Sequence, residues 1–140
     1  MARSASDCEY QSTVTLMLLG DNLVPGEITR LLSLRPTQAW RRGEPSHRAS
    51  DPVHGYGGWK KALPESQVSR PLPSQLRYWV RTLAGRSQAI ATLAHQGHLC
   101  SLSCYIASSG TASIIVPPEL QRAVAALGLE LRLSFFAQES

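Results

Sequence analysis

An α+β fold is predicted for this chain: a ferredoxin-like sandwich of two related βαβ halves, with an antiparallel sheet, helices on one face and an extra helical pair inserted between the halves. Three observations predict it. The stretch Val24-Pro25-Gly26-Glu27-Ile28-Thr29-Arg30 returns as Val116-Pro117-Pro118-Glu119-Leu120-Gln121-Arg122, each time after an apolar run and each time opening a helix. Runs of alternating apolar and polar residues, the mark of half-buried strands, flank both copies. Two amphipathic helical patterns then stand between the halves with no counterpart in either.

Each element has its own local cause. Ser12 to Leu19 sets Val14, Leu16 and Leu18 on one face against Thr13, Thr15 and Met17, and Gly20-Asp21-Asn22 turns the strand. From Pro25 to Leu34, Ile28, Leu31 and Leu32 recur at helical spacing. Pro25 belongs in a first turn, where its missing N–H would be unpaired anyway, and Glu27 meets the positive end of the helix dipole. Arg35-Pro36 stops this helix, because the residue before proline disfavours the α region. A short extended piece around Gln38 to Arg42 follows.

Pro45, Ser46, Ser50, Asp51, Pro52, Gly55 and Gly57 crowd the next stretch, so residues 44–57 are expected to form a flexible loop. Gly58 to Leu63 forms a strand. Leu76, Trp79, Val80 and Leu83 mark a helix ending near Gly85, and Ser87 is expected to cap a second one, carrying Ile90, Leu93 and Ala94 and closed by Gly97. His98 to Ile106 alternates again, with Cys100, Leu102, Cys104 and Ile106 on one face. Leu120, Ala123, Val124 and Leu127 face inward from the second proline-led helix, which Gly128 ends. Leu129, Leu131, Leu133 and Phe135 then alternate with Glu130, Arg132 and Ser134 in the clearest strand of the chain.

With 140 residues, 43% of them hydrophobic, the chain is sized for one packed core, so residues 1–140 are expected to form a single domain with a disordered start over about 1–8. The beginning, Met1-Ala2-Arg3-Ser4-Ala5-Ser6-Asp7, turns polar and acidic where a signal peptide needs an apolar stretch, and no run approaches membrane-spanning length. A cytoplasmic protein with no membrane partner is expected. Cys8, Cys100 and Cys104 form an odd set in a chain that needs no staples, which favours free thiols over a disulfide framework.

The motifs Leu23-x-Pro25-x-x-Ile28-Thr29, Leu34-x-Pro36-Thr37-x-x-Trp40-Arg41-x-Gly43-Glu44, Gly58-Trp59, Leu102-Ser103-Cys104-Tyr105 and Leu127-Gly128-Leu129-Glu130-Leu131 together resemble the uncharacterised bacterial family called domain of unknown function 4279. The similarity covers nearly the whole chain through several separated motifs. It implies a small bacterial cytoplasmic protein, and it brings no established activity, substrate or catalytic residue.

Charge gives the functional lead. Between Arg35 and Lys61 lie six cationic residues against two acidic ones, which accounts for the whole net charge of +4. A field concentrated on one connection attracts anions, whereas a diffuse one mainly aids solubility. Trp40, Arg41, Arg42, His54, Tyr56, Trp59, Lys60 and Lys61 offer guanidinium forks, ammoniums and indole faces, and are the candidate ligand-binding set. The plainer reading is that Trp40 and Trp59 cover the edge of the core while the cations are solvated. Nucleic acid is not expected, since no recognition helix or RNA-binding motif accompanies the six cations.

His98-x-Cys100-x-x-x-Cys104 puts three metal-ligating residue types on one strand face. A strand separates Cys100 from Cys104 by about 13 Å at roughly 3.3 Å per residue, too far for one zinc ion, so buried thiols are expected and no metal. No nucleophile elbow, paired acid–base carboxylates, phosphate loop or dinucleotide fingerprint occurs, so no catalytic residue and no cofactor are assigned and the reading leans away from an enzyme.

Three functions follow as expectations. The first is a non-catalytic binding or regulatory module whose basic, Trp-containing loop contacts an acidic protein, in the manner of an immunity protein. The second is a sensor or enzyme for a small anionic ligand, with its pocket near Trp40 and Trp59. The third is a self-associating structural subunit, a homodimer held by an exposed apolar face such as Met17, Leu19 and Phe136.

Overall fold

The computed structural model describes residues 10–46 and 52–138. Strand β1 spans Gln11–Gly20, helix α1 Pro25–Leu32, and strands β2 and β3 Gln38–Trp40 and Gly57–Lys61. Three helices follow, α2 at Glu65–Val68, α3 at Leu72–Thr82 and α4 at Ser87–His95. Strand β4 at Leu99–Ser108, helix α5 at Pro118–Ala126 and strand β5 at Glu130–Ala137 complete the order. No helix among the described residues is long and apolar enough to cross a membrane.

One five-stranded open sheet runs β2-β3-β1-β4-β5. The mixed α+β class is as expected; the sheet itself departs from the prediction. It is not antiparallel throughout, because β4 and β5 pair in parallel. Its halves also lie side by side about the central antiparallel pair β1 and β4, rather than interleaved as a ferredoxin-like order requires. Since β3 is antiparallel to both β1 and β2, the strands β1 and β2 run in the same direction with β3 between them. Each half therefore holds a strand-helix-strand unit with parallel strands, and the halves differ because the hairpin return β3 is wedged into the first. Periodicity cannot reveal this, since it reports which face a residue takes and not which neighbour its strand takes.

The proline-led starts behave as their chemistry demands. Pro25 opens α1 and Pro118 opens α5, with Glu27 and Glu119 in the respective first turns. α1 stops earlier than Leu34: Ser33 takes a left-handed conformation, φ 55°, immediately after Leu32. Ser87 is the first residue of α4 and not its cap, for no side chain bonds the free N–H groups there. The inserted part is three helices rather than two, the additional one being the single turn α2.

The helices pack on the sheet face that presents Val14, Leu16, Leu18, Trp59, Leu102 and Cys104, all buried in one apolar cluster with Ile28, Leu76, Trp79, Ile90 and Leu120. Trp79 of α3 is fully buried, and its indole N–H donates to the Val14 carbonyl of β1 at 2.9 Å. Trp59 donates from the same side to Thr29 Oγ1 of α1 at 3.1 Å. The Arg86 guanidinium donates to the Leu32 carbonyl at 2.6 Å and to the Thr82 carbonyl at 2.7 Å, so one cation satisfies the last carbonyls of α1 and α3 where helices are electronegative. Gln75, also fully buried, sends its amide N–H groups towards the carbonyls of Ser12, Gln67, Val68 and Arg70, pinning the α2 turn to β1.

Candidate functional site

Strand alternation decides which of the basic and aromatic residues meet. Trp59 pairs with Leu18 and turns to the helices, and Lys61 pairs with Leu16 and turns the same way. Lys60 pairs with Met17 on one side and Gln38 on the other, so it belongs to the opposite, open face of the sheet. Trp40 pairs with Gly58 on that open face. The indole lies directly against the Gly58 backbone, where a Cβ would intersect its six-membered ring. Glycine is thus required at residue 58 for close approach rather than for a turn.

Between β2 and β3 the chain doubles back over the open face. Gly43 N–H donates to the His54 carbonyl at 2.7 Å, His54 N–H to the Glu44 carbonyl at 2.9 Å and Ser46 N–H to the Pro52 carbonyl at 2.9 Å, and Pro45 bridges Val53. Residues 44–46 and 52–54 of the expected loop are therefore tied into a hairpin, because backbone groups lifted off the sheet find partners in each other. Residues 47–51 of the expected loop, and the start over 1–8, lie outside the described residues.

This hairpin and the sheet enclose a cavity of about 630 Å³. Its walls include Met17, Gln38, Trp40, His54, Tyr56 and Lys60 from the first half, and Tyr105 and Arg132 from β4 and β5. His54 stacks on Trp40 with ring centroids 4.7 Å apart and planes 20° apart; Lys60 Nζ stands 5.4 Å over the same indole. The Trp40 N–H is engaged by the Tyr56 carbonyl at 2.9 Å, which fixes the indole plane. Lys60 and Arg132 stand on β3 and β5, three strand spacings and two residues of register or roughly 16 Å apart at the backbone, and both side chains line the cavity from opposite sides. No carboxylate is among the described residues lining the cavity. On the same face Ser103 lies between Thr15 and Arg132, fully buried, and its Oγ has no hydrogen-bond partner among the described residues.

Of the eight residues expected to bind, Trp40, His54, Tyr56 and Lys60 come together here. Trp59 belongs to the core, and Lys61 donates instead to the Arg35 carbonyl at 2.9 Å on the helix side. Arg41 and Arg42 are exposed at the base of the hairpin and do not line the cavity. Lys60 and Lys61 are accordingly divided between the two faces of the sheet rather than gathered into one patch. Met17, expected to lie exposed, is buried on the open face. Sequence reasoning missed Tyr105 and Arg132 because they lie far along the chain, although the alternation that places both on the open face was legible. A second cavity of about 700 Å³ beside it, bounded by Tyr10, Arg70, Pro71, Tyr105 and Phe136, has a single cation in its wall.

Cys100 and Cys104 are free and buried on the helix side. Burial pushes both thiols up from 9.0 to about 11, and the charge of Glu130 adds to the effect at Cys100. Among the described residues, no three His, Cys, Asp or Glu side chains are placed to hold a metal ion. Since the thiolate is the reactive form, neither cysteine should be alkylated by iodoacetamide at pH 8 in the native protein, and both should react after denaturation, as read by mass spectrometry. The folded state holds these protons longer than the unfolded chain does. The stability they contribute is complete below about pH 9 and is lost as pH rises through about 11.

The matched region extends over residues 9–136, nearly the full chain, and covers both halves of the sheet and the hairpin between β2 and β3. The chain belongs to the family described as Domain of unknown function (DUF4279). No curated protein and no solved structure matches it. Within DUF4279, then, the cavity has to be interpreted from its own chemistry.

Proposed function

We propose that this DUF4279 protein is a non-catalytic binding module that holds a small anion with a planar body in the cavity between the hairpin and the open sheet face. One observation carries the reading. A cavity of about 630 Å³, within the usual range for small-molecule sites, is walled by Lys60, Arg132 and His54 around an immobilised indole, with no carboxylate in its described lining. Lys60 and Arg132 supply charge from opposite sides, Arg132 offers a bidentate fork, and the half-exposed Tyr56 ring in the cavity wall offers a stacking surface, while Trp40, held between His54 and Gly58, fixes the wall behind it. The buried, unpartnered Ser103 hydroxyl adds a polar group to the same face. Capture of an acidic protein by the basic segment is the weaker reading, since Lys60 and Lys61 point to opposite sides of the sheet.

A thermal-shift panel of inorganic phosphate, benzoate, adenosine monophosphate and the neutral analogues benzamide and adenosine tests this. A ligand that binds only the folded state at a hundred times its Kd adds about 2.7 kcal/mol, or roughly 8–10 °C for a chain of this size. An aryl or nucleotide anion should raise the melting temperature by such an amount, its neutral analogue should not, and Lys60→Ala or Arg132→Ala should remove most of the shift. No shift with any anion, or shifts in both variants as large as in the wild type, would refute the reading.

A further inference from the structure

The two edges of the sheet are finished differently. At one edge β2 is three residues long and leads straight into the hairpin; at the other β5 offers eight residues without a proline. Short strands, prolines and covering loops are the usual means of keeping an edge from pairing with another chain, and β5 has none of them. Its register with β4 sets Leu131, Leu133 and Phe135 beside the buried Leu102, Cys104 and Ile106 on the helix side. The helix layer nevertheless stops short of them, leaving Leu131 38%, Leu133 52% and Phe135 70% exposed, with Phe136 at 54% on the other face. The three on the helix side together expose on the order of 300 Å² of apolar surface, the size of the largest patch on a typical soluble monomer.

The strand is complementary to itself. In an antiparallel pairing about a twofold axis through Leu133, Leu131 opposes Phe135 of the other copy, Leu133 opposes Leu133, and Phe135 opposes Leu131, so the apolar row closes on its own image. On the open face Arg132 opposes Ser134 and Glu130 opposes Phe136, so no like charges face each other. An axis perpendicular to the sheet also keeps both helix layers on one side and continues the five strands into ten.

We propose that the outer edge of β5 is the interface of a homodimer, two copies of this chain joining their sheets by antiparallel β5–β5 pairing centred on Leu133. The partner is a second copy rather than an unrelated strand because the pattern of apolar and polar residues is satisfied by its own reverse.

Sedimentation velocity over a concentration series, with oxidative cross-linking of the full chain, tests it. The wild type should reach twice the chain mass at high concentration, and Leu133→Lys, which sets two ammoniums on the axis, should sediment as a monomer with an unchanged far-UV spectrum. Leu133→Cys should cross-link to a dimer under mild oxidation, whereas Leu131→Cys, whose own image lies four residues away, should behave like the wild type. A wild type that is monomeric throughout, a dimer that survives Leu133→Lys, or cross-linking at residue 131 and not at 133 would each overturn the proposal. If Leu133→Lys fails to fold, the cross-linking pair decides.

Discussion

Replacing Trp79 by alanine is expected to lower the unfolding free energy by about 3–5 kcal/mol, the range for truncating a large buried aromatic. The residue is fully buried at the point where α3 crosses β1, within the cluster that joins Leu76, Leu83 and Val14. The substitution leaves a void that the surrounding helices and sheet close only in part, and it leaves the Val14 carbonyl without its indole donor at 2.9 Å. Total stabilities of small domains lie at about 5–15 kcal/mol, so the variant should approach half-unfolding under mild urea, with its midpoint displaced and its slope unchanged. Trp79→Phe separates the two causes. It keeps most of the volume and loses only the donor, and should cost about 1–3 kcal/mol. A Trp79→Ala loss below about 1 kcal/mol would mean that α3 does not pack on β1 as described.

Gly58→Ala is expected to destabilise by about 1–3 kcal/mol and to abolish anion binding together. The added methyl would enter the ring of Trp40, and because Gly58 is paired to Leu19 on one side and Trp40 on the other the backbone cannot give way without losing its pairing to β1 and β2. The indole must then move. Its bond to the Tyr56 carbonyl, its stack on His54 and its place under Lys60 depend on one position of that ring. Urea titration measures the first effect and the thermal-shift panel the second. Gly26→Ala in α1 is the control, since nothing stands within 4 Å of its Cβ position; it should be neutral or stabilise by up to about 1 kcal/mol. A Gly58→Ala protein with unaltered stability and unaltered anion response would show that Trp40 is free to shift and that it does not build the cavity wall.

The strand faces of Val14, Leu16, Leu18 and of Cys100, Leu102, Cys104, Ile106 were legible directly, because burial of one face imposes a period of two that survives in any sheet containing them. Helix starts were legible at Pro25 and near Pro117-Pro118 for an equally local reason, the geometry of the first turn. The clear alternation of β5 does not extend to burial. Leu131, Leu133 and Phe135 share a face as expected, yet alternation sorts residues between faces and says nothing about whether a helix lies above them. The turn-forming residues between 44 and 57 likewise marked where the chain bends, while the hairpin bonds from Gly43 and His54 arise only once the segment is folded over the sheet.

For the candidate site, the sequence supplied Trp40, His54, Tyr56 and Lys60 because they crowd into one charged, glycine-rich stretch. Tyr105 and Arg132 entered only through strand order, which puts β4 beside β1 and β5 beside β4. Tertiary structure also divided Lys60 from Lys61 and withdrew Trp59 into the core. By itself, then, the sequence determined the family, the α+β class, the two proline-led helices and the faces of most strands, all of which depend on local chemistry or on the period of the pattern. The pairing order, the parallel β4–β5 edge and the membership of the cavity were decided by tertiary structure, because each depends on which segments become neighbours, and that is settled by burying every apolar face at once.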